Sequence, residues 1–158
     1  MNSADALRFD TAGKVAMMPD QNSNNTMSIL TLVNRPATEQ IAAIERGFPS
    51  QSLNLVVKAI GVSKIRIISG LQLAQRTISK REKTKKRFNP AESERLFRVV
   101  RLRRAARELF ATDAAFAQWL NSPDSSLAGK SPLEMLTTDI GTAKVENLMQ
   151  AMIHGVPL

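Results

Sequence analysis

The side chains with the clearest chemical potential lie between residues 74 and 87. The segment from Ala74 to Lys83 contains few apolar residues and many hydrogen-bonding groups. Those groups are carried by Gln75, Arg76, Thr77, Ser79, Lys80 and Arg81. Amide, hydroxyl and guanidinium groups on an exposed helix can read base edges in the major groove of DNA. The pattern therefore predicts a DNA-reading helix, and the alternative interpretation is a charged helix that only faces solvent.

A basic loop continues this segment. It contains Lys83, Lys85, Lys86 and Arg87. Cationic side chains of this kind contact phosphates and release counterions, so that affinity falls steeply with salt. We expect the loop to hold the duplex backbone while the helix itself contacts bases.

The distribution of charge along the chain also favours a polyanionic partner. Residues 51–110 carry sixteen basic and four acidic side chains, whereas residues 111–158 carry two and five. Residues 1–50 carry four basic and five acidic side chains. The positive charge is thus concentrated in the middle of the chain, which a surface evolved only for solubility would not require.

Catalysis has little basis in the sequence. The chain has a single histidine, His154, and no cysteine, so it lacks a catalytic triad, a thiolate nucleophile and cysteine ligands for zinc. Its acidic residues are scattered singly, and no glycine-rich phosphate loop is present. On this argument His154 is a surface or packing residue. We predict a protein that is not an enzyme and that needs no cofactor or metal.

Helical periodicity recurs through most of the chain, and no strand-like alternation of useful length appears, which predicts an all-α fold. Thr38 is expected to cap a first helix and Ser52 a second. Ser63 opens the next helix, which a tight turn near Gly70 connects to the polar helix of residues 74–83. This order predicts a helix-turn-helix.

The longest helix is predicted over about residues 90–110, where Asn89 precedes proline and the apolar residues are expected to form one stripe. Asp113 is expected to cap the following helix. Residues 131–134 form a capping-box pattern before a short helix, and a last helix is predicted from about 141 to 153.

The chain divides into three predicted parts. Residues 1–36 are rich in Asn, Ser, Asp and Thr without sustained periodicity, which predicts a flexible segment. Residues 37–90 form the predicted DNA-binding domain, and residues 91–158 form a helical domain for protein binding and dimerisation. No apolar run suits a signal sequence or a membrane span, and the lack of cysteine suits a reducing compartment, so we expect a cytoplasmic protein without membrane contact.

Many segments share their order and spacing with one known family. In the N-terminal half they are Ile44–Pro49, Gln75–Arg81 and Asn89–Leu96. The more specific C-terminal pattern comprises Trp119–Pro123, Leu127–Leu133, Thr138 with Gly141, Val145–Leu148 and Ile153–Val156. Over roughly residues 42–158 the chain resembles the Xre-type antitoxins of RES-Xre toxin-antitoxin systems, which carry an Xre/MbcA/ParS toxin-binding domain.

The resemblance implies a dimeric antitoxin that represses its own operon by binding operator DNA. It also implies that the C-terminal half binds a RES-domain toxin, which degrades NAD, and blocks the mouth of its active site. Gly155 permits a sharp change of chain direction before an apolar tip, although a frayed terminus would have the same composition. The implied toxin contacts are Ile153, His154, Gly155, Val156, Pro157 and Leu158.

Three aromatic residues admit two interpretations. Phe110, Phe116 and Trp119 have helical spacing, which suits the core of the C-terminal half. Alternatively they are exposed anchors for the toxin, and on that interpretation Trp119 joins the toxin-binding residues.

The chain departs from the family at the turn before the polar helix. Relatives usually have glycine two residues after the leucine and serine at the cap, whereas this chain has Leu73 and Ala74. The expected consequence is a less secure turn and cap, and weaker operator binding.

Two other functions fit the same residues. One is a stand-alone helix-turn-helix regulator whose C-terminal half only dimerises. The other is a nucleoid-type protein that coats DNA without sequence preference, for which operator and random DNA would bind equally well.

Overall fold

The computed structural model describes residues 28–155, and its regular elements there are helices apart from one isolated bridge between Pro49 and Arg87. The all-α prediction is confirmed. None of the helices in this part of the chain is long and apolar enough to cross a membrane. The helices are α1 (Ile29–Leu32), α2 (Ala37–Arg46), α3 (Ser52–Ile60), α4 (Lys64–Gly70), α5 (Gln75–Lys83), α6 (Pro90–Ala106), α7 (Asp113–Asn121), a 3-10 turn (Ser125–Leu127), α8 (Pro132–Met135) and α9 (Asp139–His154).

Helix α6 is the central element, because α1, α2, α3 and α9 all pack against it. Its apolar residues do not form the single stripe that the sequence predicted. Instead all five residues from Leu96 to Val100 are buried, and Leu102 and Ala106 follow them. A helix surrounded on several sides buries side chains in more than one direction, which is why a one-face pattern was wrong.

Side-chain caps set several helix starts. Asn89 accepts a hydrogen bond from the Glu92 backbone N–H at 2.8 Å, and the Glu92 carboxylate accepts one from the Asn89 N–H at 2.9 Å. The predicted capping box at Ser131 and Glu134 is present before α8. Thr112, rather than Asp113, caps α7, because its hydroxyl accepts from the Ala115 N–H.

Residues 28–36 are not flexible, as the sequence had predicted for residues 1–36, but are packed against the core. They include α1, whose Ile29 and Leu32 are each 1% exposed. Arg104 of α6 donates to the Val33 carbonyl at 2.7 Å and holds the end of this turn. Apolar burial outweighs the polar composition of the surrounding sequence here. The part of that prediction that concerns residues 1–27 lies outside the described residues.

The core is continuous across the predicted domains. One cluster of buried side chains runs from Ile29 in α1 to Met149 in α9. Gly70 at the end of α4 lies so close to Leu133 of α8 that an added Cβ would come within 2.7 Å of that side chain. The two halves of the chain therefore share their packing, and the proposed boundary at residue 90 remains a prediction.

Candidate DNA-binding and partner-binding surfaces

The α4–turn–α5 unit has the order that the sequence predicted. Ser63 caps α4 by accepting from the Arg66 N–H, and the Leu73 N–H donates to the Ile68 carbonyl at 2.9 Å to close the turn. Gln72 occupies the left-handed region with φ +51°, and Leu73 is buried. Ala74 provides no side-chain cap to α5. The turn thus forms with a strained glutamine and without a side-chain cap on α5.

One side of α5 projects into solvent. It carries five of the predicted DNA-binding residues, all of them exposed, namely Gln75, Arg76, Ser79, Lys80 and Lys83. At 100° per residue these positions fall within about 140° of the helix circumference. Among the salt bridges of the described residues, none uses Arg76, Lys80 or Lys83. This surface, which we call the α5 face, therefore presents cations together with amide and hydroxyl groups.

The opposite side of α5 is attached to the rest of the molecule. Ile78 is fully buried, and Thr77 beside it is half-buried. Glu82 pairs with Lys64 of α4 at 2.5 Å between Oε1 and Nζ. The predicted DNA contact Arg81 forms an ion pair with Glu92 of α6 instead of lying on the α5 face. The structure thus gives Arg81 a positioning role for α5.

The predicted phosphate contacts in and before the loop after α5 are all exposed. Lys85 and Lys86 are exposed and unpaired among the described residues, and Lys85 has φ +52°. Arg87 donates from its guanidinium to the Gly47 carbonyl at 2.6 Å. Gly47 has φ +80°, and a Cβ there would lie 2.1 Å from the Phe88 carbonyl oxygen, so this close approach requires glycine. Arg87 therefore helps to anchor the loop.

Sequence reasoning missed Arg66, which joins α4 to the C-terminal half. Its guanidinium donates to Asn121 Oδ1 at 3.1 Å, Ser131 Oγ at 3.0 Å and Glu134 Oε1 at 3.2 Å. Hydrogen bonds lower the pKa of Glu134, the Ser131 backbone N–H contributing most and the Ser131 hydroxyl and Arg66 adding to it. We call these four residues the Arg66 cluster. The sequence signal that could have identified it is an arginine between two isoleucines, Ile65 and Ile67, in a predicted helix.

Arg98 makes a second connection of the same kind. It is only 8% exposed, donates to the Leu136 carbonyl at 3.1 Å and pairs with Asp139 at the start of α9 and with Glu94 of its own helix. A buried guanidinium needs such partners to offset its lost hydration. Arg98 therefore fixes α9 on α6.

The aromatic residues of the C-terminal half pack together. The ring centroids of Phe110 and Trp119 are 5.3 Å apart, and those of Phe110 and Phe116 are 5.8 Å apart. Phe116 is buried, and the other two are partly buried against the core. This arrangement fits the core interpretation, and a toxin contact by Trp119 stays a prediction.

The end of α9 extends beyond the core. Met149 is its last buried residue, whereas Met152, His154 and Gly155 are exposed and Ile153 is partly packed against the core. Gly155 ends the helix with φ +63° in the left-handed region. The predicted contacts at Val156, Pro157 and Leu158 lie outside the described residues.

Comparison with known proteins adds two family matches. Residues 39–101 match the Antitoxin Xre-like helix-turn-helix domain, and residues 105–155 match the Antitoxin Xre/MbcA/ParS C-terminal toxin-binding domain. The first match contains α4 and α5, and the second contains α7, α8 and α9.

Three relatives carry the name Antitoxin Xre. The protein of Yersinia enterocolitica is 31% identical over 120 residues, which cover 75% of this chain and 81% of the relative. The protein of Photorhabdus laumondii is 32% identical over 118 residues, covering 73% and 78%. The protein of Pseudomonas putida is 31% identical over 83 residues, or 52% of each chain. The chain therefore belongs to the Xre antitoxin family, with a helix-turn-helix domain followed by a C-terminal toxin-binding domain.

Proposed function

We propose that this Xre-family antitoxin neutralises a RES-domain, NAD-degrading toxin in the cytoplasm by blocking its active site, and that it represses its own operon. The observation that carries the proposal is the presence of two separate surfaces in one chain. The α5 face is exposed, basic and unpaired within a helix-turn-helix, and the matched toxin-binding domain ends in a helix that extends past the core.

The operator contacts are assigned by what each side chain faces. Arg76 and Lys80 are exposed on α5 with Gln75 and Ser79 beside them, which suits donors and acceptors for base edges. Lys85 and Lys86 follow in the exposed loop and suit phosphates. We propose a homodimer, because helix-turn-helix proteins of this kind bind two half-sites about one helical turn apart.

The proposed occluding segment runs from Ile153 to Leu158. The exposed end of α9 supports this assignment, because a projecting helix end is able to enter a cavity that a broad surface cannot. Gly155 supports it further, since a left-handed residue turns the chain away from the helix axis.

The toxin arm of the proposal is tested by NAD consumption. A RES-domain toxin is purified, and its NAD consumption is followed in time with and without the chain. The full chain is expected to stop the reaction, and a chain lacking residues 155–158 is expected to restore most of it while still binding operator DNA. That deletion leaves the buried residues of α9 in place.

A stand-alone regulator gives a different result in the same assay. In that case neither the full chain nor the shortened chain changes NAD consumption, and operator binding is equal for both.

A further inference from the structure

The outward side of α9 forms a second partner-binding feature. Five residues lie on it at spacings of three and four, and they are Ile140, Lys144, Asn147, Ala151 and His154. Such spacing places them on one side of a helix over about 21 Å. The buried residues of α9, among them Val145 and Met149, lie on another side and pack into the core. We call the outward side the α9 face.

The first residue of the α9 face is a solvent-exposed isoleucine. Ile140 is 85% exposed, more than any other large hydrophobic side chain of the described residues. It is the second residue of α9, directly after Asp139, whose carboxylate pairs with Arg98. The start of the helix is therefore held in place while the isoleucine remains uncovered. An exposed apolar side chain on a fixed element suits an interface.

A groove lies halfway along the same face. Its volume is about 190 Å³, and its walls are mostly apolar. It is formed by Ser126, Leu127, Lys144, Asn147 and Leu148. Pockets that bind small molecules usually measure about 300–1,000 Å³, so this one fits a side chain of a partner protein better than a free ligand.

The charges around the groove indicate which group of the partner protein would lie beside the inserted side chain. The acidic residues of α9 are already used, since Asp139 pairs with Arg98 and Glu146 with Arg101 at 3.0 Å. Lys144 at the groove is exposed and has no carboxylate partner among the described residues. The groove is therefore complementary to an apolar side chain with a carboxylate next to it.

We propose that the α9 face is the docking surface for the toxin, which places an apolar side chain in the groove and a carboxylate on Lys144. This inference rests on the proposed function. Two observations select the toxin as occupant. The whole face lies within the matched toxin-binding domain, and His154 at its end leads directly into the proposed occluding segment. Docking along α9 would aim that segment at the active site.

The test measures the affinity of the chain for a RES-domain toxin by calorimetry. Ile140→Asp and Lys144→Glu are compared with Ile65→Asp, a matched control because Ile65 of α4 is 69% exposed and lies outside the toxin-binding domain. Circular dichroism checks that each variant is folded. Ile140→Asp is expected to weaken binding at least about tenfold and Lys144→Glu several-fold, whereas Ile65→Asp binds as the wild type.

Other outcomes separate the two proposals. If the wild type binds and Ile140→Asp binds equally well, the docking surface is wrong and the proposed function stands. The docking surface is also wrong if Ile65→Asp weakens toxin binding as much as Ile140→Asp does. If Ile140→Asp instead turns a dimer into a monomer with unchanged toxin affinity, the α9 face joins two copies of the chain. A wild type that does not bind the RES-domain protein overturns both proposals.

Discussion

Gln72 shows how a single residue limits the DNA-binding unit. It holds φ +51° between α4 and α5, a conformation that costs side chains with a Cβ about 1 kcal/mol. Gln72→Gly removes this cost and is expected to raise the free energy of unfolding by about 0.5–1 kcal/mol, measured by urea denaturation. Gln51→Gly is the control, since Gln51 has φ −63° and gains nothing from glycine. A destabilised Gln72→Gly variant would contradict the prediction.

The exposed cations of α5 and of its loop are expected to behave differently. Arg76→Ala weakens operator binding more than random-DNA binding, because it removes a base contact. Lys85→Ala weakens both and lowers the salt dependence by about one phosphate contact. The measurement is fluorescence anisotropy at several salt concentrations, with Lys130→Ala from the toxin-binding domain as the unaffected control. Equal operator affinity of Arg76→Ala and wild type would refute the base contact.

At the scale of elements, the hydrogen bonds of the Arg66 cluster fix the position of α4 relative to α7 and α8. Arg66→Ala leaves Asn121, Ser131 and Glu134 without a shared donor and is expected to lower the free energy of unfolding by about 1–2 kcal/mol. Arg35→Ala removes only an exposed pair with Glu39 and is expected to lower it much less. Chemical denaturation of both variants measures the difference, and equal costs would refute the prediction.

The same cluster makes stability depend on pH. The pKa of Glu134 is lowered in the folded chain, so its carboxylate contributes stability above the unfolded pKa of glutamate, and that contribution is lost as the pH falls through the folded pKa. Glu134→Gln is therefore expected to destabilise at pH about 7 and to destabilise less at pH about 3. Denaturation curves at the two pH values provide the measurement. A constant difference between them would show that the charge is unimportant.

At the scale of the whole molecule, the shared core predicts that the helix-turn-helix does not fold alone. A fragment of residues 37–90 loses α6, against which α2 and α3 pack, and α8, which contacts α4. Thermal melting followed by circular dichroism is expected to show no cooperative transition for this fragment, while residues 28–155 unfold cooperatively. A sharp transition for the fragment would contradict the shared core.

Some local features of this molecule were predictable, whereas the caps expected at Thr38, Ser52 and Asp113 were wrong and the long-range features were not predictable. The capping box at Ser131 depends on residues three positions apart, so the sequence alone identified it, and Asn89 before proline identified the start of α6. The burial of α1 depends on α3 and on α6, which is far along the chain, and the ion pair of Arg81 depends on Glu92 of α6, which belongs to a different helix. The exposed α5 face was predictable because its polar pattern is unbroken, but which cation is free depends on tertiary contacts.

Trp119 gives this antitoxin a built-in optical reporter. It is the sole tryptophan of a chain without tyrosine, and it lies beside Phe110 and Phe116 in the toxin-binding half. Its fluorescence therefore arises from one known place, far along the sequence from α5. Unlabelled operator and a tryptophan-free toxin variant can be titrated in turn. The emission maximum of Trp119 would then show whether DNA binding at the α5 face changes the environment of the toxin-binding half.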